Sequence, residues 1–326
     1  MSGAAGHPLT SENSAESHTF PTGSGAALAG LEARVREELD LLAYPSKPWV
    51  VPRRPVGGKH VYDVVIAGAG QGGLATAFGL FRERVDNILV IDEKPPGQEG
   101  PWLTYARMRT LRTPKHLTGP DLGIPSLTFR SWCDARHGPG TWERLERIPR
   151  EMWAEYLAWF RRVLALPVRN GVRLQRIVPE ADPARPGAHV FRLELRSSGG
   201  RDVCYARRVV LATGIEGSGA WHIPEFIRSQ IPRRLYAHTS EYIDFERLAG
   251  RSVGVLGAGA SAFDNAATAL ECGAREVHLF FRRRALPRVN PYRWMEFTGF
   301  LKHFADLDDA VRWRMMNHIF SINQPP

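Results

Sequence analysis

The residues Gly68-Ala69-Gly70-Gln71-Gly72-Gly73 have the types and spacing that let a backbone lie against a pyrophosphate. Gly68 can make a tight turn, Gly70 leaves room for phosphate oxygens, and Gly73 lets a helix pack closely on a strand. The free N–H groups and positive dipole at the start of that helix favour an anion. About twenty residues further on stand Asp92-Glu93-Lys94, where a carboxylate can accept bonds from ribose hydroxyls. The pattern recurs at Gly257-Ala258-Gly259-Ala260-Ser261-Ala262, with Ala262 in the place of the third glycine. The strand after this second turn runs into Arg282-Arg283-Arg284 instead of an acid. Guanidinium groups there suit a ribose phosphate, which a carboxylate would repel, so this site favours NADPH over NADH. The competing readings are generic glycine turns and a solvated arginine loop; strand, helix and acid in register weigh against the first.

Such turns work only if a strand and a helix present them. Residues 61–67 are nearly continuous in Val and Ile, as expected when both faces of a parallel strand are covered. A helix from Gln71 to about Arg84 and a second strand over 87–91 complete the unit. The same plan returns with strands over 252–256 and 276–281. Between the two units, apolar runs over 190–195 and 203–211 flank the polar turn Ser197-Ser198-Gly199-Gly200, which predicts an antiparallel hairpin leading into Leu211-Ala212-Thr213-Gly214.

Ahead of the first unit, Leu28, Leu31, Val35, Leu39 and Leu42 recur at helical spacing and predict an amphipathic helix over 26–43. Pro45, Pro48, Pro52 and Pro55 keep the next stretch extended. The first 25 residues have almost no large apolar side chains and are expected to be disordered. After Pro149, Trp153, Tyr156, Leu157, Phe160 and Leu164 fall at core spacing and read as packing.

With 326 residues and 43% hydrophobic content, two domains are expected. The net charge of +9 is scattered, which fits attraction of anionic ligands better than nucleic-acid binding. Cys133, Cys204 and Cys272 are far apart and show no metal-ligand spacing, so no metal is expected and the thiols point to a reducing, cytoplasmic compartment. No apolar run reaches the roughly 18 residues needed to span a bilayer.

Two glycine turns in this order, Leu211-Ala212-Thr213-Gly214 between them, and Glu93-Lys94 followed by Gly100-Pro101-Trp102 resemble the class B flavoprotein monooxygenases. That group includes flavin-containing, Baeyer-Villiger and N-hydroxylating monooxygenases, and the resemblance covers roughly residues 61–284. It implies an α/β fold of two Rossmann-like dinucleotide-binding units, three-layer parallel sheets with a small antiparallel β element. FAD would lie against Gly68, Gly70, Gln71, Gly73, Asp92, Glu93, Lys94 and Trp102. NADPH would lie against Gly257, Gly259, Ser261, Ala262, Arg282 and Arg283. The implied chemistry uses O2 on a small-molecule substrate such as an amine, thioether, ketone or N-heterocycle of the urate type.

Within the resemblance, Glu93 matches the ribose-binding acid by its spacing to Trp102, and Gly214 matches the point where the chain crosses between domains. His238-Thr239-Ser240-Glu241-Tyr242 resembles the linker before the NADPH turn, although the expected upstream Phe and Gly are Pro232 and Arg234 here. Thr113-Pro114-Lys115-His116-Leu117 resembles a segment of amine N-hydroxylases in which a lysine faces the substrate; a surface lysine is the competing reading. His238 and Lys115 are thus the candidate catalytic side chains.

The expected layout is an extension over 1–60, an FAD-binding domain over 61–218 and an NAD(P)-binding domain over 219–326. Relatives in the resembled group continue well beyond the arginines, so the chain is expected to be C-terminally truncated. An NADPH-dependent flavin reductase or oxidase, and a non-catalytic FAD-binding homologue, are the alternatives. A flavin disulfide reductase would need a redox cysteine pair, and none is visible.

Overall fold

The computed structural model describes residues 23, 25–43, 46–117, 119–182, 185–282, 286 and 303–323. The expected disorder near the N-terminus falls almost wholly outside them, and Arg283 and Arg284 lie outside as well. Helix α1 (Gly25–Leu41) is the predicted amphipathic helix, and it buries Leu31 and Val35. Strand β1 (Val61–Ala67), helix α2 (Gln71–Arg82) and strand β2 (Ile88–Ile91) form the first β-α-β unit. Then come helices α3 (Phe129–His137), α4 (Thr141–Arg144) and α5 (Arg150–Val163). The short strand β3 (Val168–Arg169) precedes β4 (Arg173–Ala181), β5 (His189–Ser197) and β6 (Gly200–Leu211).

These strands make one six-stranded sheet in the order β3-β2-β1-β6-β5-β4. The pairings of β3, β2, β1 and β6 are parallel, and those of β6, β5 and β4 are antiparallel. The fold is therefore α/β with a mostly parallel sheet, as expected. Strand β6 joins the two parts: its first half pairs with β5 from Gly200 to Ala206, and its second half pairs with β1 from Tyr205 to Leu211.

Alternation along β1 and β2 sends side chains into two cores. Val64, Ile66, Ile88 and Val90 pack with residues of α2, α3 and α5, among them Trp132, Tyr156, Trp159 and Phe160. Val65, Ala67, Leu89 and Ile91 pack on Leu193, Leu195, Cys204 and Ala206. The second cover is thus made by antiparallel strands and not by helices, and twelve-residue β6 supplies the link by pairing with β5 at one end and β1 at the other. Strand β4 is absent from the sequence reading, since Pro179 interrupts its apolar alternation and a bulge lies between Leu174 and Arg176. An edge strand accommodates both.

The second unit has parallel strands β7 (Ser252–Leu256) and β8 (Glu276–Phe280) around α7 (Ala260–Glu271), after a short helix α6 (Glu225–Gln230). Val255, Ala262 and Ala266 form its small core. Helix α8 (Asp309–Asn323) follows. Among the described residues, no helix is long and apolar enough to cross a membrane.

Candidate functional site

The first turn places its glycines under different demands. Gly68 has φ +108, and a Cβ there would lie 2.2 Å from the Ala212 carbonyl oxygen. A Cβ on Gly73 would lie 1.8 Å from the Gly68 oxygen. The fold itself requires both glycines. Gly70 is different, because a Cβ there would meet only Gly100, its Cα at 3.7 Å and its N at 3.8 Å, both ordinary contacts. Its missing side chain instead keeps open a cleft of about 360 Å³ lined by Gly70, Leu74, Gly97, Glu99, Trp102 and Arg161.

Two kinds of donor lie next to that cleft. Gly70 is the N-cap of α2 and contributes no side-chain cap, so the N–H groups of the first helical turn are free for an anion. Trp102 Nε1 is buried without a hydrogen-bond partner, beside Gly100. A buried orphan donor costs about 1–3 kcal/mol unless a ligand satisfies it. The rim is ordered by Arg161, which binds Glu99 at 2.8 Å and Asn170 at 2.9 Å. Sequence reasoning missed this network, because its members lie on three separate elements.

The paired acids diverge. Asp92 is 9% exposed; its Oδ2 accepts the Ala69 N–H at 2.7 Å and its Oδ1 accepts the Lys94 N–H at 2.8 Å. Burial raises its pKa, those two N–H groups oppose the rise, and nearby Glu99 and Glu93 add to it. Glu93 instead pairs with Arg173 at 2.8 Å and Lys94 at 3.6 Å. Together with Gly171, Gln175 and Arg196 these residues line a separate cleft of about 350 Å³. The geometry brings Asp92, and not Glu93 or Lys94, to the glycine turn.

In the second unit the Gly257 N–H donates to the Phe280 carbonyl at 2.9 Å, continuing the β7–β8 ladder into the turn before α7. A Cβ on Gly257 would sit 3.3 Å from the Ala262 Cβ, so a small third residue suits this turn. A Cβ on Gly259 would meet nothing, and Gly259 caps α7 as Gly70 caps α2. Ser261 is exposed and Ala262 buried. Asn265 was not singled out in the sequence; it is buried, its Nδ2 donates to the Ser261 carbonyl at 2.8 Å, and its Oδ1 has no partner. Arg282 is exposed just past β8.

Gly214 is exposed at the start of the crossing from the first sheet. His238 stacks on Trp221 with ring centroids 5.4 Å apart and planes 3° from parallel. Its Nδ1 accepts the Ser240 N–H at 3.2 Å, and its own N–H donates to Glu241 Oε1 at 3.0 Å. Lys115 Nζ donates to the Trp142 carbonyl at 2.7 Å and lies 4.8 Å from the centre of that ring. Neither side chain lines the cleft around Gly70. Both are held by local contacts that account for their positions.

Comparison with known proteins gives two family matches. Residues 65–216 match a family described as FAD-NAD(P)-binding. Residues 141–313, more than half of the chain, match one described as L-lysine 6-monooxygenase/L-ornithine 5-monooxygenase. A FAD-dependent urate hydroxylase from Xanthomonas campestris pv. campestris is 54% identical over 301 residues, covering 92% of this chain and 62% of that protein. The chain therefore spans less than two thirds of this relative's length. The ornithine hydroxylase PvdA from Pseudomonas aeruginosa has a similar fold, with a TM-score of 0.66 at 19% identity over 81% of this chain and 66% of that one. DfoA, a cadaverine monooxygenase from Erwinia amylovora, gives 0.60 at 20% identity over 80% and 61%.

Proposed function

The chain belongs to the L-lysine 6-monooxygenase/L-ornithine 5-monooxygenase family, and on that premise we propose that it is an FAD-dependent monooxygenase that takes electrons from NADPH and hydroxylates a urate-type N-heterocycle with O2. The observation that carries the flavin site is Gly70, a glycine the fold does not need, opening on a cleft that Trp102 also lines. The urate class rests on the 54% identity to a urate hydroxylase.

In this reading Gly70 and the first N–H groups of α2 hold the pyrophosphate, and Trp102 lines the same cleft. The adenosine ribose lies at the end of β2, where Asp92 braces the glycine turn through the Ala69 N–H. Gly257, Gly259 and Ser261 take the nicotinamide dinucleotide, and Arg282 attracts its ribose phosphate. Bound FAD supplies the redox chemistry; the protein binds, orients and keeps water from the reacting atoms. We assign 61–218 to the flavin and 219–326 to NADPH, and place the enzyme in the cytoplasm, where NADPH is available and its three free cysteines stay reduced.

The test is anaerobic mixing of the FAD-loaded chain with NADPH, followed by oxygen with or without urate. Bleaching of the flavin, faster with NADPH than NADH, and urate-dependent oxygen uptake are expected. Failure of NADPH to bleach bound FAD would sink the assignment. A second reading, N-hydroxylation of a primary amine, is favoured by the family match over residues 141–313; coupled turnover of ornithine or lysine but not urate would select it. Oxygen uptake that yields only peroxide with every substrate would select a flavin oxidase.

A further inference from the structure

The segment after the Trp102 loop carries a row of guanidinium groups that the proposed function does not use. Its backbone is pinned to the start of α5: the Leu111 N–H donates to the Ile148 carbonyl at 2.8 Å, and the Arg150 N–H donates to the Arg109 carbonyl at 3.1 Å. Leu111 is buried in the first core. The arginines around it reach the other way. Arg107 Nη2 donates to the Glu241 carbonyl at 3.0 Å and lies 5.3 Å over the Phe245 ring. Arg109 Nη2 pairs with Glu271 at 2.9 Å. Arg112 Nη2 donates to both oxygens of Asp264 at 2.6 Å, while Arg147 holds the Arg112 carbonyl at 2.9 Å.

Asp264 and Glu271 are two turns apart on α7, so they share one face of the helix, while Ala262, Ala266 and Ala269 are buried. The first unit therefore grips the helix that begins at the second glycine turn, at two points along its length. We propose that Arg109 and Arg112 are positioning residues that set the orientation of α7, and with it the Gly257–Ala262 turn, relative to the cleft at Gly70. The inference rests on the reading that the second turn holds NADPH.

A single exposed ion pair contributes little. Here two pairs act on one rigid helix, Asp264 is only 20% exposed, and the arginines come from backbone that is already fixed. Transfer between two bound cofactors falls steeply with misplacement, with about 1 Å costing up to a hundredfold in rate. Small losses of registry should therefore be visible in kinetics well before they are visible in stability.

The experiment uses the full FAD-loaded chain and anaerobic flavin reduction by NADPH. Arg112→Glu and Asp264→Arg should each lower the reduction rate constant at saturating NADPH by about tenfold. FAD affinity should stay within about twofold of wild type, and the two changes combined should recover most of the rate. Raising salt from about 0.02 to about 0.5 M should slow wild type more than the Arg112→Gln/Asp264→Asn double variant, which keeps only the Arg109–Glu271 pair. If Arg112→Glu loses FAD, Arg112→Gln is read in its place.

Wild-type rates in both single variants, or no recovery in the combination, would overturn the proposal. Amide exchange along α7, measured without NADPH, keeps the two readings apart. Faster exchange in the single variants with recovery in the combination supports the grip even where wild-type FAD is not reduced, a result that would overturn only the NADPH assignment. Unchanged exchange in the single variants overturns the grip.

Discussion

Gly70 and Gly73 look equivalent as letters, yet the structure asks different things of them. Gly73→Ala should misfold the first unit, since its Cβ would enter the Gly68 carbonyl. Gly70→Val should leave the apo fold nearly intact and abolish FAD retention, and a thermal melt of the apo protein beside a flavin-to-protein ratio separates the two effects. The thiols offer a second test at this scale. Burial pushes Cys133 up to about 12 and Cys204 up to about 11, while Cys272 is partly exposed. A thiol reagent at about pH 8 should label Cys272 in the native chain and the other two only after unfolding. The unfolded chain loses these protons near pH 8.5 and the native chain does not, so stability should fall as pH rises above that value. A denaturation midpoint that rose from pH 8 to 10 would contradict the burial of both thiols.

Among the elements, α5 carries the heaviest load. Its buried face holds Trp153, Tyr156, Trp159 and Phe160 against the helix side of the sheet, and Ala154, Leu157, Ala158 and Arg161 line the cleft. Packing and site thus share one helix and meet at Leu157, which is buried in the core and also lines the cleft. Tyr156 Oη donates to the Leu127 carbonyl at 2.7 Å in the core. Tyr156→Phe leaves that oxygen without the bond and should cost about 1–3 kcal/mol. Urea unfolding of the apo chain measures this loss, and FAD affinity should not move. A matching fall in FAD affinity would mean that the two roles of α5 cannot be separated.

At the scale of the whole molecule, the proposed function has two similar glycine turns serve different dinucleotides because different side chains follow their strands. Arg282 is exposed past β8, with no carboxylate in the place that Asp92 holds after β2. Arg282→Ala should therefore lower the NADPH-over-NADH ratio of kcat/KM by roughly ten- to a hundredfold, the loss of one charge-assisted contact. If the variant keeps the wild-type ratio, the phosphate lies against another residue. The grip of Arg109 and Arg112 on α7 belongs to this scale as well, since it concerns how one turn faces the other.

Local chemistry made much of this protein legible in its residues alone. Strand runs ending in glycine turns, helices opening on them and the arginines after the second unit depend on neighbours within a few positions, and the α/β class follows from their order. Tertiary structure decided what adjacent or distant residues share. Asp92 and Glu93 are one residue apart, and only the strand's facing sent the first to the turn and the second to Arg173. Spacing is blind to that choice. Strand β4 was hidden because an edge position tolerates the proline and bulge that spoil its pattern. The Glu99–Arg161 pair at the rim and the arginine grip on α7 join residues 62 to 162 positions apart, and such pairings exist only once the sheet has brought them together.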